Sequence, residues 1–198
     1  MFYYPKFTRK LKKAGLTSVT LSVNGPTAKI HDSITNVKGS FDYLIRGIKN
    51  LQKEQVNLNA SIVVIKQNYK YLVEIVKLLD KFNIYNIEFQ SFIPYSEVIS
   101  KFDIIPKYTE VIKKLIKLND YSDKKNITIR DIPKCIIPRE FSEMSVNGIH
   151  NKDNNNYVGC PMKQKISVCN NCKMNELCDG IYKNYLKKHG KEEFKPLK

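Results

Sequence analysis

Polar and apolar residues alternate over residues 18–23: Val19, Leu21 and Val23 interleave with Ser18, Thr20 and Ser22. A period of two is that of a strand with one face against a core. Asn24-Gly25-Pro26 ends it. Ahead of it, residues 6–14 read as a basic helix with Gly15 as a C-cap. Downstream the period lengthens. Leu44, Ile45, Ile48 and Leu51 share one helical face within residues 40–54. Residues 58–65 include Ile62-Val63-Val64-Ile65. Four consecutive β-branched residues predict a strand buried on both faces. Leu72, Ile75, Val76 and Leu79 predict another helix, and residues 84–89 a third strand that opens into residues 90–94.

Helix and strand therefore alternate along the first half of the chain. That order predicts an α/β fold of right-handed βαβ units around a parallel sheet. In such sheets function collects in loops at the carboxyl ends of the strands. Here those are residues 22–25, 66–68 and 90–94. Beyond Pro94 the pattern changes. Residues 107–118 look helical, residues 145–158 are polar and Asn-rich and read as an exposed loop, and residues 159–180 hold four cysteines in little apolar sequence. No internal repeat is present. The change of pattern places a boundary near residue 120, giving regions 1–120 and 121–198.

A formal charge of +15 raises the question of a polyanionic partner. The cations are nearly all lysine, with arginine only at positions 9, 46, 130 and 139. Phosphate and base-edge readers lean on arginine forks. The dispersed lysines read as a solvated surface, with a polyanion-binding face as the alternative. No run of about 18 apolar residues predicts a membrane span. Residues 1–6 lack the apolar stretch of a signal peptide. A cytoplasmic protein is expected.

Five cysteines remain to be placed, and a cytosolic Cys-x-x-Cys is more often a metal or redox site than half of a disulfide framework. Cys169-Asn-Asn-Cys172 brings two thiols into one turn, and Cys178 follows, then Asp179-Gly180. A glycine there permits a backbone turn beneath a metal centre. Cys135 or Cys160 can supply a fourth ligand. Four thiolates suit Zn²⁺ or a [4Fe–4S] cluster, and spacing does not separate them. A thioredoxin-like site would open a helix directly after a strand. Here no strand is expected before the motif.

These segments together resemble radical S-adenosylmethionine enzymes. Residues 11–26, ending in Leu21-Ser22-Val23-Asn24-Gly25-Pro26, resemble the family's fourth barrel strand and its loop. His31-Asp32, Gly39-Ser40-Phe41 and Gly47-Ile48 follow at its usual intervals. Val63-Val64-Ile65-Lys66-Gln67-Asn68-Tyr69 is similar to the fifth strand and its exit, and Phe89 to Pro94 to the sixth. Cys169-x2-Cys172-x5-Cys178-Asp-Gly180, with Tyr185, Gly190, Glu193-Phe194 and Pro196, resembles the auxiliary-cluster region of the SPASM and twitch branches.

The resemblance implies a partial, half TIM-like β/α barrel followed by a small irregular cysteine-rich region. It implies that Ser22 and Ile93 face S-adenosylmethionine. Asn24 stands where relatives carry an acid after the serine. It further implies an auxiliary [4Fe–4S] cluster on Cys169, Cys172, Cys178 and Cys135, with Cys160 in reserve, and a peptide substrate. His31 and Asp32 are read as bracing a short loop.

The family's Cys-x3-Cys-x2-Cys triplet, which holds the cluster that cleaves S-adenosylmethionine, does not occur among these 198 residues. Nor does its glycine-rich second strand. Met1-Phe2-Tyr3 resembles the end of the third-strand region. The expectation is a downstream fragment, not catalytic alone, that binds S-adenosylmethionine only with a separate N-terminal half carrying the triplet. Two open sheet edges would make it need that partner or be marginally stable. The alternative from the residues alone is a zinc-stabilised basic module that binds nucleic acid.

Overall fold

The computed structural model describes residues 1–94, 103–118, 125–146 and 160–198. The expected Asn-rich loop and the boundary near residue 120 fall almost wholly outside them. Helix α1 (Pro5–Lys13) leads into strand β1 (Ser18–Ser22). Gly15 supplies the turn between them with φ +99°, and the Leu16 and Gly15 amides donate to the Leu11 and Lys12 carbonyls at 3.1 and 3.0 Å. This is the Schellman closure that the glycine predicted. Helices α2 (Ala28–Thr35) and α3 (Ser40–Lys53) precede β2 (Asn57–Val64). Helix α4 (Leu72–Asp80) precedes β3 (Asn86–Ser91), and α5 (Tyr108–Leu115) precedes β4 (Asn126–Arg130). The short β5 (Ser145–Val146) completes the sheet.

All five strands are parallel, in the order β1-β2-β3-β4-β5. A doubly wound sheet reverses its strand order at a switch point; this one never does. Sequential order is the winding of a β/α barrel, of which these strands form an arc. Strands β4 and β5 carry the sheet past residue 120. In this sheet β1 has a strand neighbour on one side only.

One face of the sheet is apolar and covered. Leu21, Ala60, Ile62, Val64, Ile87, Phe89, Ile127 and Ile129 are buried in one core with Ile48 and Leu51 of α3, Ile75, Val76 and Leu79 of α4, and Val111 and Ile112 of α5. The other face is polar. Its rows read Thr20-Asn59-Asn86-Asn126, then Ser22-Ser61-Glu88-Thr128, then Val63-Gln90-Arg130. The expectation that residues 62–65 are buried on both faces is therefore corrected: Val63 is 39% exposed. The helices cover only one side, and the concave side carries hydrogen-bonding groups. Asn86 donates to Asn59 at 3.0 Å, and Arg130 donates from two nitrogens to Glu88 at 2.7 and 2.8 Å.

His31 and Asp32 lie on helix α2, not in a loop as expected. Their bracing role nonetheless holds. His31 Nδ1 accepts from the Asn24 amide at 3.2 Å, tying α2 to the β1 exit. The Asp32 carboxylate accepts from the Gly39 and Phe41 amides at 2.7 and 2.8 Å and from the Ser40 hydroxyl at 2.8 Å. It thereby serves the orphan amides at the start of α3 from outside that helix. These amide donors hold its carboxyl below the usual carboxylate range.

The loops after β1 and β2 are joined by one side chain. Asn68 is fully buried. Its amide nitrogen donates to the Val63 and Asn24 carbonyls at 2.9 and 3.2 Å, and its oxygen accepts from the Ile65 amide at 2.9 Å.

The C-terminal segment packs onto the same core. Strands β6 (Lys163–Gln164) and β7 (Ile181–Tyr182) pair antiparallel, and α6 (Lys183–His189) follows. Tyr185 of α6 stacks on Tyr108 of α5 with ring centroids 3.9 Å apart and planes 6° from parallel. Glu193 accepts from the Thr109 amide at 3.0 Å and from the Tyr185 hydroxyl. Asn184 donates to the Pro94 carbonyl at 3.1 Å. Among the described residues no helix is long and apolar enough to cross a membrane.

Asn68→Ala removes three hydrogen bonds made by a fully buried side chain, so it should cost about 2–3 kcal/mol in urea unfolding. A loss under 1 kcal/mol would mean that the two loops hold without it. The depressed Asp32 carboxyl stabilises the fold above its unfolded value of about 3.9 and loses that effect as pH falls through its lower folded value. Asp32→Asn should therefore flatten the acid limb of the stability–pH curve, read by thermal melts between neutral and strongly acidic pH.

Candidate metal centre

Strand β4 ends at Arg130, and the chain turns sharply at Asp131, whose φ is +64°. Pro133 then leads into a 3-10 turn, Lys134–Ile136, that presents Cys135. Thirty-odd residues on, a chain of tight turns presents the other thiols. The Cys169 amide donates to the Ile166 carbonyl at 2.8 Å, the Cys172 amide to the Cys169 carbonyl at 3.1 Å, and the Asn175 amide to the Cys172 carbonyl at 2.9 Å. Cys169 lies in a 3-10 turn, Ser167–Asn171. A two-residue strand, β6, does precede it, against expectation. No α-helix opens at Cys169, so the thioredoxin geometry is not reproduced.

Gly180 follows Cys178 with φ +88°. A Cβ there would lie 2.2 Å from the Gln164 carbonyl oxygen. Only glycine lets β7 pass β6 this closely while its amide donates back to Cys178 Sγ at 3.3 Å. The Ile166 amide likewise donates to Cys169 Sγ at 3.5 Å. The glycine turn expected beside the cysteines is present.

Cys135, Cys169, Cys172 and Cys178 line one cavity of about 230 Å³. Cys160 does not line it; it is half-buried and lies near Tyr182. All five cysteines are free of disulfides. Burial, then the neighbouring thiols of Cys178, Cys172 and Cys169, push the Cys135 thiol up to about 12. Burial raises Cys178 too, while the Gly180 amide opposes the rise. The neighbouring thiols oppose ionisation of Cys135 and Cys178, and a cation in the shared space would reverse that by deprotonating its thiol ligands. Among the described residues no three His, Cys, Asp or Glu side chains are grouped tightly enough to hold a single metal ion.

The wall between this cavity and the sheet is polar. Asp131 accepts from the Tyr182 hydroxyl at 3.1 Å, from Lys163 Nζ at 3.3 Å and from Gln90 at 3.4 Å. Gln90 belongs to the polar face of the sheet. Lys163 Nζ also sits over the Tyr182 ring, 4.6 Å from its centroid. Sequence reasoning missed Asp131, Lys163 and Tyr182. The available signal was an acid directly after a strand-like Ile127-Thr-Ile129 alternation, itself too short to stand out.

Ser22 is exposed at the last position of β1, and Ile93 is half-buried two residues beyond β3. Both lie at the carboxyl edge of the sheet, with β2 between them. They are far in sequence from the cysteines and do not line the cysteine cavity. The Asn24 backbone is engaged by His31 and Asn68.

Comparison with known proteins bears on the first part of the chain. Residues 1–79 match the family model for the Radical SAM superfamily. An AdoMet-dependent heme synthase of Oleidesulfovibrio alaskensis is 31% identical over 71 residues, 36% of this chain and 18% of that protein. An Fe-coproporphyrin III synthase of Methanosarcina barkeri is 32% identical over 76 residues, 38% of this chain and 19% of that protein. The chain thus spans about a fifth of the length of these relatives. A solved structure described as native anSMEcpe with bound AdoMet and Kp18Cys peptide superposes with a TM-score of 0.51 at 18% identity, over 64% of this chain and 37% of that one. That likeness is one of fold, and it agrees with the arc of parallel strands. Over residues 1–79 the chain is thus similar to the Radical SAM superfamily, and part of it is similar to AdoMet-dependent heme synthases.

Proposed function

We propose that this chain is the downstream part of a radical SAM protein and that its cysteine cavity holds an auxiliary [4Fe–4S] cluster. The observation that carries this reading is the convergence of Cys135, Cys169, Cys172 and Cys178 on one cavity, behind a Radical SAM superfamily sequence. In a cubane each thiolate binds its own iron, so four thiolates stand wider apart than around one Zn²⁺. The match of residues 1–79 to the Radical SAM superfamily model favours the cluster over zinc. The amides of Gly180 and Ile166 directed at Cys178 and Cys169 are the kind of donors that stabilise reduced clusters.

The five cysteines contain no Cys-x3-Cys-x2-Cys. The cluster that reacts with S-adenosylmethionine would then be held by sequence outside these 198 residues, in the same polypeptide or a partner. This chain would contribute Ser22 and Ile93 at the carboxyl edge of the sheet. Its polar concave face, with Glu88, Gln90 and Arg130, would form part of the substrate chamber. A bound auxiliary cluster supplies electron transfer or an anchoring iron. The turns around it would fix the thiols.

Anaerobic reconstitution with iron and sulfide should give about four of each per chain. Cys135→Ser should lower both substantially, and Cys160→Ser should leave them unchanged. Stoichiometric zinc without sulfide would overturn the cluster reading, and iron lost in Cys160→Ser but kept in Cys135→Ser would reassign the fourth ligand. Salt-dependent oligonucleotide binding by the zinc form would instead support the basic-module alternative.

A further inference from the structure

The loop that leaves β1 is held by its backbone. The Asn24 amide donates to His31 Nδ1 at 3.2 Å, and the Asn24 carbonyl accepts from the Asn68 side-chain amide at 3.2 Å. The two partners come from other elements, His31 from the middle of α2 and Asn68 from the loop after β2. His31 is 4% exposed and Asn68 is fully buried. Gly25 brings the loop close. A Cβ there would lie 2.6 Å from Ile30 Cγ2 and 2.9 Å from the His31 amide nitrogen. No side chain larger than hydrogen fits, so the loop rests directly on α2 at the level of His31.

Of these two tethers only the histidine can be switched by a proton. Nδ1 accepts an amide only while it carries no hydrogen, which puts the proton of the neutral ring on Nε2. The Phe41 ring meets the imidazole edge-on, with centroids 5.7 Å apart. Burial disfavours the charged ring and lowers the His31 pKa, and the adjacent Asp32 opposes this. Asp32 is itself engaged by the start of α3. The other charged groups on the elements packed here are turned elsewhere. Lys29 of α2 and Asp42, Arg46 and Lys49 of α3 are exposed, and Lys66 after β2 pairs with Asp103 at 2.6 Å. Residues 22–26 carry no charge. The neutral ring is therefore the resting form at neutral pH.

We propose that His31 is a positioning residue for the ligand-facing edge of the sheet: its unprotonated Nδ1 holds the Asn24 amide, and with it the stretch from Ser22 to Pro26, and the hold is released when the ring takes up a proton. The inference rests on the reading that places Ser22 at that edge beside S-adenosylmethionine. A protonated ring sets a second N–H against the Asn24 amide, donor against donor, so attraction becomes repulsion. Asn68 then holds the carbonyl alone. Ser22 lies two residues from the released amide, so acid loosens the ligand-facing edge. His31 does not line the cysteine cavity, which is left untouched. The lowered pKa fixes the sign. The tether is complete above the ordinary histidine value of about 6.5 and is lost as pH falls through the lower folded value.

The test uses the full chain, labelled with nitrogen-15, as wild type, His31→Asn and His31→Phe. Ring-nitrogen shifts give the His31 tautomer and its titration. Hydrogen exchange gives the protection of the Asn24 amide from neutral to acidic pH. Wild type should show the Nε2–H tautomer at neutral pH, and Asn24 protection should fall about tenfold along the His31 titration, the factor of one ordinary hydrogen bond. His31→Asn places a side-chain oxygen where Nδ1 stands and does not titrate, so it should keep the protection across the range. His31→Phe should lack it throughout. An Nδ1–H tautomer, or Asn24 protection that stays level while His31 titrates, would overturn the inference. So would loss of protection at the fully buried Ile62 in step with Asn24, because the whole fold would then be opening. If His31→Phe fails to fold, the wild-type titration decides alone. A chain that takes up no sulfide on reconstitution would overturn the cluster reading and leave the His31 tether standing.

Discussion

The Glu193 carboxylate accepts from the Thr109 amide and hydroxyl on one side and from the Tyr185 hydroxyl on the other. One buried-edge acid thereby ties the end of the chain to the first turn of α5, beneath the stacked pair Tyr108 and Tyr185. The site depends on this tie. Cys135 is fixed by β4, whereas Cys169, Cys172 and Cys178 ride on turns with little regular structure of their own. A segment of 3-10 turns and two-residue strands buries too little to hold four sulfurs around a cavity by itself. Tyr182, Tyr185 and Phe194 supply the missing apolar area by joining the core beneath the sheet. The Lys173 amide closes the arrangement by donating to the Leu197 carbonyl at 3.0 Å. The cavity is thus built by docking, not by the Cys-x2-Cys motif alone.

The sheet was legible because its strands repeat a two-residue period. The rows Thr20-Asn59-Asn86 and Ser22-Ser61-Glu88 are polar, and Leu21, Ala60 and Ile87 between them are not. The run of residues 62–65 misled because β-branched residues suit a pleated surface whichever way they face. Val63 needs only the hydrocarbon of a neighbour, not a full core. Strand β4 was invisible for a related reason. Ile127 and Ile129 are its only apolar residues, and two positions do not make a period. Helix α2 was hidden by Asn24-Gly25-Pro26 just before it, which reads as a loop opening, and by Ser33 and Thr35, which are neutral to poor in helix interiors.

The site was legible in part. Spacing identified Cys169, Cys172 and Cys178, and Gly180 had to be glycine for a reason of sterics. Spacing left Cys135 and Cys160 equivalent. They differ only in three dimensions, where Cys135 follows the carboxyl end of β4 and lines the cavity and Cys160 sits outside it near Tyr182. No one-dimensional signal marks Asn68, which satisfies three backbone groups of two loops at once.

Asp131 connects the two halves of the argument. A non-glycine residue with φ +64° costs about 1 kcal/mol, and is kept when its surroundings determine it. Here they do. The left-handed turn aims the carboxylate at Tyr182 and Lys163 from the C-terminal segment and at Gln90 from the sheet. An extended residue at that position would carry the chain on along β4 and miss the cysteine turns. With the turn in place, Cys135 faces the cavity four residues later, and the polar sheet face runs into the cavity wall through a single carboxylate. A charge on that wall is felt by whatever occupies the cavity, because Tyr108, Tyr182 and Ile181 make the surrounding medium one of low polarity. The strain at Asp131 thus sets a polar group beside the space that the four thiols line.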